Sequence, residues 1–422
     1  MANHDSTTLV SATSRWDRPA VSTGTGETYL VVTIATGTPT TRINRPPVDV
    51  AFVIDRSGSM SGAPLSLAKQ GVLTALNLLT DQDGMSVVAY DDTPRTVCTL
   101  MPATATHRHG LAQTLRQMET GGSTNLFGGW QLGCEHLTHP EFGTPGRLRR
   151  TILLTDGLAN VGLIDPQQIS WQVARQRQSC LTTSTLGLGL GVDEALLAGM
   201  AEAGGGNFAF VEHPRDLPAF FARELGEALS VVATGATLTL TLPEGIRGRL
   251  LNPFPAERIG KRITIALGEL PAGLTLSLVF SITTRAKHEG VVYSPLELTS
   301  EWQTTDSGAA RTLIPVDPLI SVSPADFESM PRDEAAVEAV AQVIADDARR
   351  TALRHYRTGD VSAARSSLGA AMAYSVAAPS SSARLRKELD EVMAFDPDSP
   401  EFNTRSRQIE NDTHRRSRGR NL

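Results

Sequence analysis

The segment Val48–Ile54 (VDVAFVI) is apolar at nearly every position, where a strand with one wet face would alternate apolar and polar residues. Such a strand must be covered on both sides, a condition met in parallel sheets flanked by helices. The neighbouring sequence agrees. Pro64 stands where helices start, and Leu65, Ala68, Val72, Leu76 and Leu79 recur at spacings of three and four, which gives one apolar helical face. Further apolar strands are expected at Met85–Tyr90, Thr151–Thr155, Thr183–Leu188 and Phe208–Val211. Between and after them lie helical stripes through Leu111 and Leu115, Leu126 and Trp130, Pro166–Gln178, Leu196 and Met200, and Leu217–Leu229. The turn Asp91-Asp92-Thr93-Pro94 predicts one antiparallel hairpin, with Thr96–Leu100 as its second strand. Repeated strand–helix units predict an α/β domain with a doubly wound, mostly parallel sheet over residues 47–233.

The flanks have a different texture. Tyr29–Ile34 before this domain, and Ala236–Leu242, Arg262–Leu267, Leu274–Thr283 and Leu296–Thr299 after it, read as short strands separated by Pro and Gly. The expectation is an α/β domain inserted in a small antiparallel β-sandwich built from residues 27–46 and 234–322. Residues 332–395 turn helical, with a stripe through Val337, Val340, Val343 and Ile344 and a Gly359-Asp360 turn, and predict a helical hairpin. It resembles one tetratricopeptide repeat, without the second copy that a solenoid needs. The Ser- and Thr-rich residues 1–26 and the basic tail 396–422, with Arg405, Arg407, Arg415, Arg416, Arg418 and Arg420, are expected to be disordered.

Composition narrows the function classes. A chain of 422 residues with 40% apolar and 20% charged side chains has room for several cores. Its net charge of -6 argues against a nucleic-acid partner. Three cysteines without CxxC spacing fit a reducing compartment, and no apolar run is long enough for a membrane span, so a cytoplasmic location is expected. Enzyme signatures are missing. GxSxG, HExxH and GxxxxGK[ST] do not occur, and Gly260-Lys261 is followed by Arg262. Where phosphotransferases resembling haloacid dehalogenases need a second Asp, two residues after Asp55, stands Ser57. The pairs His107 with His109 and His136 with His139 lack an acidic or Cys partner at metal spacing.

The chemistry gathers at strand ends. VDVAFVI runs into Asp55-Arg56-Ser57-Gly58-Ser59, a second loop offers Gly121-Gly122-Ser123-Thr124, and a third, Thr155-Asp156-Gly157, follows another apolar strand. Ligand sites in open α/β sheets form at the carboxyl ends of strands. An all-oxygen set of carboxylates and hydroxyls, with no thiolate or imidazole, suits a hard divalent cation.

These segments, in this order, resemble the von Willebrand factor A domain and its metal-ion-dependent adhesion site, a DxSxS sequence followed by a Thr and then an Asp. The whole chain further resembles bacterial proteins of this type with flanking β-strands and a helical C-terminal region. The resemblance implies Mg²⁺, or Mn²⁺ or Ca²⁺ in its place. Its ligands would be the hydroxyls of Ser57, Ser59 and Thr124, with the carboxylates of Asp55 and Asp156 acting directly or through water. It also implies that an Asp or Glu of a protein partner fills the remaining coordination position. On this reading the protein is a non-enzymatic, metal-dependent binding module, with Met60 and Leu126 available either for partner contact or for local packing. The alternatives are an adaptor or substrate-recognition subunit of an AAA+ ATPase machine and, at greater remove, a metal-assisted hydrolase.

Overall fold

The computed structural model describes every residue except 1–8, 25, 39–45, 139–146, 157–158, 190–191, 285–287, 294–295, 305–307, 379, 398, 400–401 and 420–422. Three strands come first, β1 (Val10–Trp16), β2 (Ala20–Ser22) and β3 (Gly26–Thr36). The α/β unit begins with β4 (Val48–Asp55), α1 (Ala63–Leu76), β5 (Gly84–Tyr90), β6 (Arg95–Pro102), α2 (Ala105–Arg116) and α3 (Leu126–Thr138). It continues through β7 (Leu148–Thr155), α4 (Pro166–Gln178), β8 (Leu181–Leu188), α5 (Glu194–Gly204), β9 (Gly205–Val211) and α6 (Leu217–Leu229). Next come β10 (Val231–Thr241), β11 (Ile246–Leu250), β12 (Ala256–Ile259), β13 (Arg262–Pro271), β14 (Thr275–Thr284), β15 (Glu297–Thr304), β16 (Gly308–Ile314) and β17 (Ile320–Val322). Helices α7 (Pro324–Ser329), α8 (Glu334–Arg357), α9 (Val361–Ser375), α10 (Ser382–Met393) and α11 (Phe402–Ser417) complete the described chain.

The α/β sheet has the order β6-β5-β4-β7-β8-β9, parallel except for the β5–β6 hairpin that the Asp91–Pro94 turn predicts. Every residue of β4 is buried. Alternate side chains serve opposite layers: Val50, Phe52 and Ile54 pack with Leu65, Val72 and Phe221, whereas Ala51 and Val53 pack with Trp130, Cys134 and Leu197. From β4 the chain passes to β5 on one side and later returns to β7 on the other. The carboxyl ends of β4 and β7 therefore flank the switch point of the sheet, the position at which open α/β sheets bind ligands.

The flanking strands form two larger sheets, β1-β3-β14-β11 and β12-β13-β10-β15-β16, and a short parallel pair, β2 with β17. Leu30, Val32 and Phe280 of the first meet Leu238, Ile265 and Trp302 of the second in one apolar layer. Leu30 of β3 stands opposite Phe280 of β14, so segments on either side of the α/β unit pair with each other. The unit is inserted in a sandwich. No described helix is long and apolar enough to cross a membrane.

The two expectations of disorder fail over the described residues. Within residues 1–26, β1 pairs with β3 along its whole length, because Val10 and Trp16 supply buried apolar surface and the Trp16 indole donates to Asp317 O at 2.9 Å. At the other end α11 joins α8, α9 and α10 in a bundle, so the 332–395 hairpin is part of a larger helical layer. Phe402 packs with Tyr356 and Phe395. Arg416 pairs with Glu388 at 2.7 Å and with Asp346 at 3.3 Å. Those carboxylates lie on α10 and α8, far off in sequence, which is why the arginines read as a solvated tail.

Candidate functional site

Asp55, the last residue of β4, is fully buried, and its carboxylate is already engaged. Oδ1 accepts the Ser57 N–H at 2.8 Å, and Oδ2 accepts the Thr155 hydroxyl at 2.6 Å and the Tyr90 hydroxyl at 3.2 Å. Ser57 is buried and Ser59 exposed, with their Oγ atoms 3.2 Å apart. The loop before α3 is laced onto this one: Gly58 N–H donates to Gly122 O at 2.8 Å and Gly121 N–H to Arg56 O at 2.5 Å. Thr124, buried at the end of that loop, donates its N–H to Asn160 Oδ1 at 2.7 Å. Its carbonyl accepts the N–H groups of Asn160 at 3.1 Å and Val161 at 3.2 Å. Asp156, also buried, follows β7, and its carbonyl accepts the Asp193 N–H at 3.1 Å. The three loops that carry Asp55, Ser57, Ser59, Thr124 and Asp156 are thus tied together at one end of the sheet, while Gly157 lies outside the described residues.

Residues 49–223 match the family model described as the von Willebrand factor type A domain. This segment is a von Willebrand factor type A domain. Among sequence relatives, the uncharacterized protein YfbK of Escherichia coli (strain K12) is 30% identical over 190 residues, which are 44% of this chain and 32% of that protein. The chain therefore spans well under half of that relative's length. Among structures, a von Willebrand factor type A protein from Catenulispora acidiphila aligns over 90% of this chain and 89% of its own, with a TM-score of 0.69 and 18% identity. The ArnB paralog VWA2 from Sulfolobus acidocaldarius aligns over 96% of this chain and 98% of its own, with a TM-score of 0.62 and 14% identity. At such identities the likeness is one of fold, and it extends through the sandwich and the helical layer as well as the A domain.

Electrostatics singles out this end of the A domain. Burial pushes the Asp55 carboxyl above its ordinary range, and the negative charge of Asp156 pushes in the same direction, against the hydrogen bonds from Thr155 and Ser57. Tyr90 is raised too, by its own burial and by the charge of Asp55. The adjacent Arg56 offers no compensation, because its guanidinium is turned onto Asp91, with Nε at 3.0 Å and Nη2 at 2.8 Å from Oδ2. Asp55 and Asp156 are both buried and interact electrostatically, and the loops tied to them carry the hydroxyls of Ser57, Ser59 and Thr124; carboxylate and hydroxyl oxygens are the donors that a hard dication takes.

Histidine-based metal binding gains no support. No group of three or more His, Cys, Asp or Glu among the described residues is arranged to hold an ion. His107 Nδ1 lies 2.8 Å from Pro102 O and His136 Nε2 lies 3.0 Å from Thr96 Oγ1, while His139 is outside the described residues. Met60 and Leu126 are both fully buried in the layers beneath the site, so their role is packing and not partner contact.

Several participants escape the motif. Tyr90 and Thr155 both bond Asp55, and Asp91 and Asp92, expected as hairpin residues, also reach the Thr124 loop. Asn160 lies only four residues beyond Asp156. Its polarity within an otherwise small and apolar stretch, GLANVG, is the signal that could have drawn attention to it.

Proposed function

We propose that the A domain binds a divalent cation, Mg²⁺ or a substitute such as Mn²⁺, through Asp55, Ser57, Ser59, Thr124 and Asp156, and uses it to capture a protein partner that presents an Asp or Glu side chain. What supports the reading is that buried Asp55 and Asp156 interact at strand ends whose loops, tied together by backbone hydrogen bonds, also carry Ser57, Ser59 and Thr124, while the neighbouring Arg56 pairs with Asp91. A cation held by two carboxylates and otherwise by neutral oxygens keeps net positive character, which favours an anionic ligand. Ser59, Gly122 and Asn160 are exposed and give the site a rim that a partner can reach. This reading is of binding and not of catalysis.

Calorimetry on the full chain tests the first half: Mn²⁺ or Mg²⁺ should bind, and Asp55→Ala should abolish the heat. Partner capture from lysate in Mg²⁺ compared with EDTA tests the second half. Proteins retained in Mg²⁺ should be lost in EDTA and with Thr124→Ala. A partner indifferent to both treatments would show that coordination is not how it is held.

A further inference from the structure

We propose that Asn160 and Asp92 are positioning residues that set the Thr124 hydroxyl in the cation's coordination shell, an inference that rests on the metal-site reading above. Residues 119–125 form no helix or strand, so regular hydrogen bonding does not place them. Three consecutive amides are instead held from outside the loop. Ser123 N–H donates to Asp92 Oδ1 at 2.7 Å, Thr124 N–H to Asn160 Oδ1 at 2.7 Å, and Asn125 N–H to Asp91 O at 2.8 Å.

Asn160 grips Thr124 twice, because its own N–H also donates to Thr124 O at 3.1 Å. Since Asn160 lies four residues beyond Asp156, this double contact ties the Thr124 loop to the segment that follows β7. Asp92 acts from the opposite side, at the end of the β5 strand beside β4. Gly122 permits its approach, for a Cβ there would run into the Asp92 carboxylate. A ligand shell has to be held to within about 0.5 Å, and Thr124 carries the loop's only proposed ligand, so its placement depends on these two side chains.

The test is Mn²⁺ titration of the full chain by calorimetry, with thermal melting measured on the same samples. Asn160→Ala and Asp92→Ala should each weaken Mn²⁺ by about 10- to 100-fold, the usual range for groups that orient metal ligands. Asp92→Asn should restore most of the loss, since an amide oxygen still accepts from Ser123. In the metal-free protein, amide hydrogen exchange at Ser123 and Thr124 should speed up in the two alanine variants. Asp165→Ala serves as control: it removes the cap of α4, which accepts the Gln168 N–H at 2.7 Å, and should lower the melting temperature without changing Mn²⁺ affinity. If the unmutated chain takes up no Mn²⁺, the metal-site reading fails and this inference falls with it. If the unmutated chain binds and both alanine variants bind equally well, the metal site stands and the positioning role is overturned.

Discussion

Two sets of buried acids in the same A domain have opposite electrostatic fates. Glu224, on α6, is fully buried, and burial alone would raise its pKa. Arg150 Nη1 at 2.7 Å, Asn207 Nδ2 at 2.7 Å and Ser184 Oγ at 2.7 Å outweigh that cost and hold the carboxyl below its ordinary value. Asp55 also accepts three hydrogen bonds, but from neutral groups only, and with Asp156 as a neighbour it moves the other way. The number of hydrogen bonds does not separate the two. Among the described residues, what separates them is the guanidinium: Glu224 has that of Arg150 at 2.7 Å, whereas the donors to Asp55 are neutral.

The widest gap between them should show in stability. Glu224→Gln breaks the buried pair with Arg150 Nη1 at 2.7 Å, although Glu269 still lies 2.6 Å from Nη2, and should cost about 3–5 kcal/mol in chemical denaturation. Asp55→Asn in metal-free protein removes a charge that Asp156 opposes and keeps an oxygen to accept the Ser57 amide, so its cost should be about 1 kcal/mol or less. Equal losses would erase the comparison. The loss of Mn²⁺ binding should fall on Asp55→Asn alone.

The same contrast explains how much the sequence could say. The β4–Asp55 junction, the Thr124 loop and the strand ending before Asp156 are local patterns, and their residues can be placed from the chain alone. So can the doubly wound sheet, since the all-apolar β4 requires cover on both faces. Arg150 with Glu224, separated by 74 residues, and Arg416 with Glu388, separated by 28, carry no local signature. Each looks like an ordinary charge on a strand or helix until tertiary packing joins the pair. The short strands β11, β12, β16 and β17 were hidden for a related reason: β12 is exposed at all four positions and is held by pairing with β13, so no apolar pattern marks it.

Acid should sharpen the distinction by a smaller amount. The folded pKa of Glu224 lies below its unfolded value, near the ordinary 4.5, so its contribution is whole above that pH and drains as pH falls through the lower folded value. Urea midpoints for the unmutated chain and Glu224→Gln should therefore differ by a constant amount between about pH 6 and 7, and converge on acidification below the ordinary glutamate range. Asp91 and Glu338 are also depressed, but they are present in both proteins and cancel in the difference. A gap that stays constant down to the acid transition would mean that the Glu224 charge is not what Arg150 stabilises.

The smallest expected effect comes from cutting the A domain out as Pro47–Val232. Its two apolar layers are drawn from residues 48–231, and the sandwich layer from residues outside that span, so excision divides the cores without opening one. The named ties that are lost are polar: Arg150 to Glu269, Arg177 to the Leu267 carbonyl, Arg357 to Glu194 at 3.0 Å, and His414 to Gly206 O at 2.9 Å. The Arg150–Glu224 pair stays inside the fragment. A cooperative melt at a lowered temperature is expected, with Mn²⁺ affinity within about twofold of the full chain, as for groups that share no partner with the site. One of these ties could break that expectation. Glu194 follows Asp193, whose N–H holds the Asp156 carbonyl, so losing Arg357 takes an ion pair from a buried carboxylate one residue from a contact to the site. If excision weakens Mn²⁺ binding well beyond twofold and Arg357→Gln in the full chain reproduces the loss, the helical layer helps to hold the Asp156 loop. The Asp156 loop would then be supported from the helical layer, as Arg150 is from Glu269 of the sandwich.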